Sequence, residues 1–171
     1  MKLYTIQNQN AWYEAQRTGC LVGNKDYIWP DFIEPYHWMM DQMKKKLNDY
    51  DGEYPVWLWC EKPDLRYSGH LNKGTMGTLL EVELKEQEVL FSNFMAWHIV
   101  LSDGFLSLTE EEDRQYEIGN LSMKKKESWE RIFNYNELQK YEYWKGPVDL
   151  QGVTGTISLN KVRHLKTFKA Q

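Results

Sequence analysis

Residues 2–21 read KLYTIQNQNAWYEAQRTGCL, and this stretch holds a strand, a helix start and a helix stop. Lys2 to Ile6 has the period-two alternation of a short strand, with Leu3 and Thr5 on one side and Tyr4 and Ile6 on the other. Asn8 or Asn10 is placed to cap a following helix, because a short side-chain oxygen accepts hydrogen bonds from the free amides of the first turn. Trp12, Ala15 and Gln16 fall at helical spacing. Gly19 is then suited to end the helix, since glycine takes the left-handed conformation without a Cβ penalty.

Outward from this opening unit the pattern stays mixed. Phe32, Tyr36, Met39, Met40, Met43 and Leu47 recur every three or four residues and predict a helix from Asp31 or Pro35 to Asn48. Lys44 to Lys46 suit its C-terminal end. Tyr54 to Cys60 alternates around Trp57 and Trp59 and predicts a strand, and Thr78 to Leu84 and Glu88 to Phe91 predict two more. Ser92 or Asn93 caps a helix carrying Phe94, Trp97, His98 and Leu101. The charged stretch 109–126 reads as an exposed helix or mobile excursion. Short helices at 128–133 and 136–144 are expected to turn Trp129, Ile132, Phe133, Leu138 and Tyr141 to the core. Asp149 to Leu159 and Val162 to Phe168 close the chain as strands. The expectation is one α+β domain over residues 1–171, a central mixed or antiparallel sheet flanked by helices.

Composition bounds the function. Lys and Arg number 21 against 25 Asp and Glu, a formal net charge of −4, which argues against a general polyanion binder. Aromatic residues make up 15% of the chain, far from the composition of a disordered segment. No apolar run is long enough to span a bilayer, and MKLYTIQNQN does not read as a signal peptide, so a cytoplasmic protein with no membrane contact is expected.

The chemistry-bearing motifs are sparse. His37, His70, His98 and His164 are scattered, and neither Cys20 nor Cys60 has a CxxC partner, so no metal is expected. Both cysteines read as buried and inert. There is no glycine-rich phosphate loop and no nucleophile elbow. Trp57 and Trp59 share one side of a strand and could sandwich a flat ligand, with Trp97 and His98 on a nearby helix, although most tryptophans are expected to fill the core. Arg66 leaves the Trp-rich strand where a bidentate guanidinium could hold a phosphate, or pairs with Asp64. Gln151 offers an amide and no general base.

LYTIQ at 3–7 with Trp12 and Gly19, YHWMMDQM at 36–43, YPVWLW at 54–59 with PDLR at 63–66, VLFSNFMAWHIVL at 89–101, SWERIF at 128–133 and LQGVTGTISLNKV at 150–162 span nearly the whole chain. With these pieces the chain resembles a bacterial family, domain of unknown function 3841. Its opening from Leu3 to Leu21 and its close from Asp149 to Phe168 are also similar to ADP-ribosyltransferase-like folds. That second resemblance implies an NAD cleft with a His or Arg on the first strand and a late Glu that stabilises the oxocarbenium-like centre. Thr5 stands where the His would be and Gln151 where the Glu would be, and a glutamine supplies no negative charge. The expected cleft has Tyr4, Thr5 and Gln7 along the first strand, Arg66 on phosphate and Gln151 facing the ribose, with ADP-ribose passed to a macromolecular acceptor.

Two other classes compete. Small acidic domains from mobile elements often bind one host or phage protein, and such an interaction or inhibitor protein would show an exposed apolar patch, with the surroundings of 109–126 as the place to look. A reader of single-stranded nucleic acid would use Trp57 and Trp59 as stacking platforms, but the net charge counts against it. A nucleotide binder should instead have a pocket joining Thr5, Arg66 and Gln151.

Overall fold

The structure is a computed structural model that describes all 171 residues, and the chain is α+β. Its strands are β1 (Lys2–Asn8), β2 (Cys20–Leu21), β3 (Val56–Trp59), β4 (Met76–Glu83), β5 (Leu90–Asn93), β6 (Leu150–Thr154), β7 (Ile157–Ser158) and β8 (Val162–Lys169). Six form a sheet in the order β5-β6-β3-β1-β4-β8, and β2 pairs with β7. The pairings of β1 with β3, β1 with β4, and β4 with β8 are antiparallel. The helices are α1 (Gln9–Thr18), α2 (Ile33–Lys46), α3 (Phe94–Leu101), α4 (Glu110–Glu117), α5 (Lys125–Trp129) and α6 (Tyr135–Leu138). None is long and apolar enough to cross a membrane. Two compact units are distinguishable, Met1–Trp29 with Tyr36–Leu90 and Gly152–Gln171, and Pro30–Pro35 with Phe91–Gln151.

In the first unit the expected strand, cap and stop are present, with β1 running two residues further than the alternation predicts. Asn8 is the cap, its side chain accepting from the Asn10 amide at 2.9 Å. Gly19 ends α1 at φ 83°, its amide donating to the Ala15 carbonyl at 2.8 Å. In the register of β1 with β4, Leu3 faces Val82, Thr5 faces Leu80 and Gln7 faces Thr78. Alternation puts these on one side of the sheet, where Leu3, Thr5, Leu80 and Val82 are buried with Val56 and Leu58 of β3. Helix α2 begins at Ile33 after a 3₁₀ turn over Pro30–Phe32, so Pro35 falls in its first turn, where a missing donor does no harm. Met39 and Met43 are fully buried on its apolar stripe. β3 starts only at Val56, after Pro55, which has no amide to give a ladder. β5 begins at Leu90 because Glu86–Glu88 makes a 3₁₀ turn whose Glu88 carboxylate accepts from the Lys85 amide at 2.7 Å. The sequence reading did not anticipate the short β2–β7 pair.

The second unit is built around Trp97, Leu106, Trp129, Ile132 and Leu138, all buried, while Phe133 and Tyr141 are only half-buried, against expectation. Asn93 caps α3, accepting from the Ala96 amide at 2.9 Å. The charged stretch contains an ordered helix, α4, capped by Thr109. It is pinned by Glu112, which accepts two hydrogen bonds from the Arg131 guanidinium, each 2.8 Å. Arg131 also donates to the Leu106 carbonyl at 2.7 Å. In 109–126 the one exposed large apolar side chain is Ile118.

Candidate functional site

A cavity of about 540 Å³ lies in the first unit, within the range of small-molecule sites. It follows from the sheet register. β1 is laddered with β4 at all seven positions but meets β3 only at Tyr4 and Trp59. Beyond that rung Thr5, Ile6, Gln7 and Asn8 line the cavity from one side, and Val56, Trp57 and Trp59 from the other. A strand's backbone donors and acceptors alternate between its two edges, so this half of β1 presents polar backbone that no β3 ladder satisfies.

The next wall is the turn after β2. Gly23 donates its amide to the Tyr54 carbonyl at 3.1 Å. A Cβ on Gly23 would lie 2.5 Å from the carbonyl oxygens of both Tyr54 and Pro55, so only glycine allows this approach. Asn24 caps a 3₁₀ turn over Lys25–Tyr27 by accepting from the Asp26 amide at 2.9 Å. That turn delivers Tyr27, and after it Trp29, to the cavity.

A loop before β4 supplies His70 and Asn72. His70 donates Nε2–H to the Asp64 carbonyl at 3.1 Å, and its ring stands edge-on to Trp59 with centroids 5.9 Å apart at 89°. Tyr36 from α2 meets Trp57 at 5.7 Å and 67°, forming an aromatic corner. Burial pushes the Tyr36 phenol up, against a hydrogen bond from the Trp57 indole. Tyr54 Oη lies 2.9 Å from His37 Nε2.

The lining contains no Lys, Arg, Asp or Glu. Its polar side chains are the Thr5 and Thr75 hydroxyls, the amides of Gln7, Asn8, Asn24 and Asn72, the tyrosine hydroxyls and His70. Gln7 Nε2 donates to Thr5 Oγ1 at 2.8 Å, so the pair keeps one hydroxyl donor and one amide acceptor outside that bond.

The structure brings Thr5, Gln7, Trp57 and Trp59 to this cavity and places the other expected site residues elsewhere. Tyr4 sits on the opposite side of β1 from Thr5 and is not in the lining. Arg66 points to solvent with its side chain 87% exposed, and Asp64 takes its guanidinium at 2.5 Å. That local pair is one of the two alternatives the sequence leaves open for Arg66, and Arg66 is not in the cavity lining. Trp97 is buried in α3, and His98 is exposed, its Nδ1–H donating to the Phe94 carbonyl at 2.9 Å. Gln151 is buried in the second unit, where Nε2 donates to Ser92 Oγ at 3.3 Å. The expected pocket joining Thr5, Arg66 and Gln151 is therefore replaced by one lined from the first unit alone. Cys20 and Cys60 carry no disulfide and are half-buried, not buried as expected. No group of three or more His, Cys, Asp or Glu side chains is arranged to hold a metal.

Sequence reasoning missed Gly23, Asn24, Tyr27, Trp29, Tyr36, Tyr54, His70 and Asn72. The signal available was the aromatic run Tyr27-Ile28-Trp29 set in a Gly/Asn-rich loop, because large rings on loops commonly serve ligands. Among known proteins, no curated protein and no solved structure matches this chain. A family model does match over residues 2–126, well over half the chain, and that match covers the opening strand, the cavity walls and α4. The chain belongs to the family described as domain of unknown function (DUF3841).

Proposed function

We propose that the cavity binds NAD or a related nucleotide through its planar ring. The observation that carries this reading is the lining itself, six aromatic side chains with neutral amides and hydroxyls at their edges. A flat heterocycle gains from stacking on such rings, and its polar edge needs neutral donors and acceptors in fixed positions. The corner of Tyr36 and Trp57 offers the stacking surface. The Thr5 hydroxyl and Gln7 amide offer the donor and acceptor that a carboxamide or base edge requires.

The nicotinamide–ribose part of NAD fits this chemistry, while the pyrophosphate meets no Lys or Arg in the lining. Transfer of ADP-ribose to a macromolecular acceptor breaks the bond from ribose C1′ to nicotinamide and forms one to the acceptor's nucleophile. The cavity contributes binding and orientation to that step and no carboxylate, so support for the reading rests on recognition.

Indole fluorescence tests it, because Trp29, Trp57 and Trp59 all line the cavity. Saturable quenching by NAD is expected, with affinity falling at least about tenfold in Trp57→Leu, the loss of one stacked ring. Quenching that stays linear with NAD up to millimolar levels would remove the proposal.

A further inference from the structure

We infer that the cavity selects a cationic ring, taking the oxidised N-alkylpyridinium of nicotinamide in preference to the neutral dihydropyridine. This rests on the nucleotide reading above and deepens it by naming the charge state the site prefers.

Two observations carry it together. The lining supplies six aromatic side chains and no Lys or Arg to oppose a positive guest. The rings also stand at steep angles, Tyr36 to Trp57 at 67° and His70 to Trp59 at 89°. A flat cation laid on the face of one ring therefore also meets the side of its neighbour. The face of an aromatic ring carries negative electrostatic potential, so it attracts a ring cation and gives a neutral ring of the same size dispersion alone.

The absence of cationic side chains has a second consequence. Phosphates carried by the ligand find no ion pair in the lining and stay hydrated, so the ring and ribose carry the affinity. The Thr5 and Gln7 pair is neutral and can serve the carboxamide in both redox states, which leaves the ring charge as the discriminating feature.

The experiment is calorimetric titration of the full wild-type chain with three probes, NAD, oxidised nicotinamide riboside and reduced nicotinamide riboside. The two ribosides lack phosphate and differ by one hydride. The oxidised riboside is expected to bind at least about tenfold tighter than the reduced one. Its affinity should hold within about twofold between roughly 0.1 M and 1 M salt, since no ion pair is screened. Equal binding of the two ribosides would overturn the inference and leave the nucleotide reading standing. Binding of NAD with neither riboside bound would overturn it too, by assigning the affinity to the phosphates. No binding by any of the three would remove the nucleotide reading and this inference with it.

Discussion

Tyr4 of β1 and Trp59 of β3 face each other as the single rung between their strands. On its other edge β1 is paired with β4 from Lys2 opposite Glu83 to Asn8 opposite Gly77. A mid-sheet strand paired along one edge and released along half of the other leaves backbone donors and acceptors to be met by water or a ligand. The cavity lies along that released half, so the register of two strands positions the candidate site.

Gly23→Ala tests the closeness on which one wall depends. The added methyl would sit 2.5 Å from two backbone carbonyl oxygens, which cannot swing aside as a side chain can. A loss of about 1–3 kcal/mol in urea unfolding is expected, the usual cost of overpacking. A change too small to resolve would show that the wall yields.

Glu112 and Arg131 anchor α4 in the second unit, with side-chain exposures of only 21% and 16%. Burial alone would raise the Glu112 carboxyl, but hydrogen bonds from Arg131 and the Leu108 amide, with the guanidinium charge, hold it below its ordinary value. Its contribution to stability is therefore present above the unfolded carboxyl pKa of about 4.3 and is lost as pH falls through the lower folded value. Glu112→Gln should cost about 2 kcal/mol at neutral pH and flatten the acid side of the stability profile. Urea midpoints measured against pH, wild type beside variant, check both parts.

Tyr50 contributes to stability on the alkaline side. Burial, with Asp51 and Glu53 close by, pushes its phenol up to about 12, and its hydroxyl donates to the Glu53 carbonyl at 2.5 Å. The unfolded phenol ionises near 10, so this contribution is whole below that pH and is lost as pH rises toward the folded value. Ultraviolet titration of the folded protein should show a late-ionising tyrosine that Tyr50→Phe removes. An unchanged titration curve in the variant would contradict the assignment.

The parts of this chain that were legible in the sequence are local. Asn8, Gly19 and Asn93 act on amides or carbonyls within four residues of themselves, and each is a residue type that caps or stops a helix for a stated steric or hydrogen-bonding reason. Trp57 and Trp59 could be picked out because strand alternation puts them on one side of β3, and Thr5 and Gln7 came through the resemblance of the opening strand. What lay beyond reach was long-range. The pairing of Cys20 with Ser158 joins two-residue strands too short to show a period. Gly23 meets Tyr54 across a stretch that contains all of α2. For Arg66 the sequence left two partners open, and the exposed pair with Asp64 two residues earlier is the local one that the structure shows.

The most direct test is an isothermal titration of NAD into wild type, Trp57→Leu and Arg66→Ala. The account predicts saturable heat for wild type, affinity within about twofold of wild type for Arg66→Ala, and a loss of about tenfold or more for Trp57→Leu. Binding that Arg66→Ala abolishes and Trp57→Leu keeps would place the ligand outside the aromatic cavity, and no heat at millimolar NAD would contradict nucleotide binding altogether.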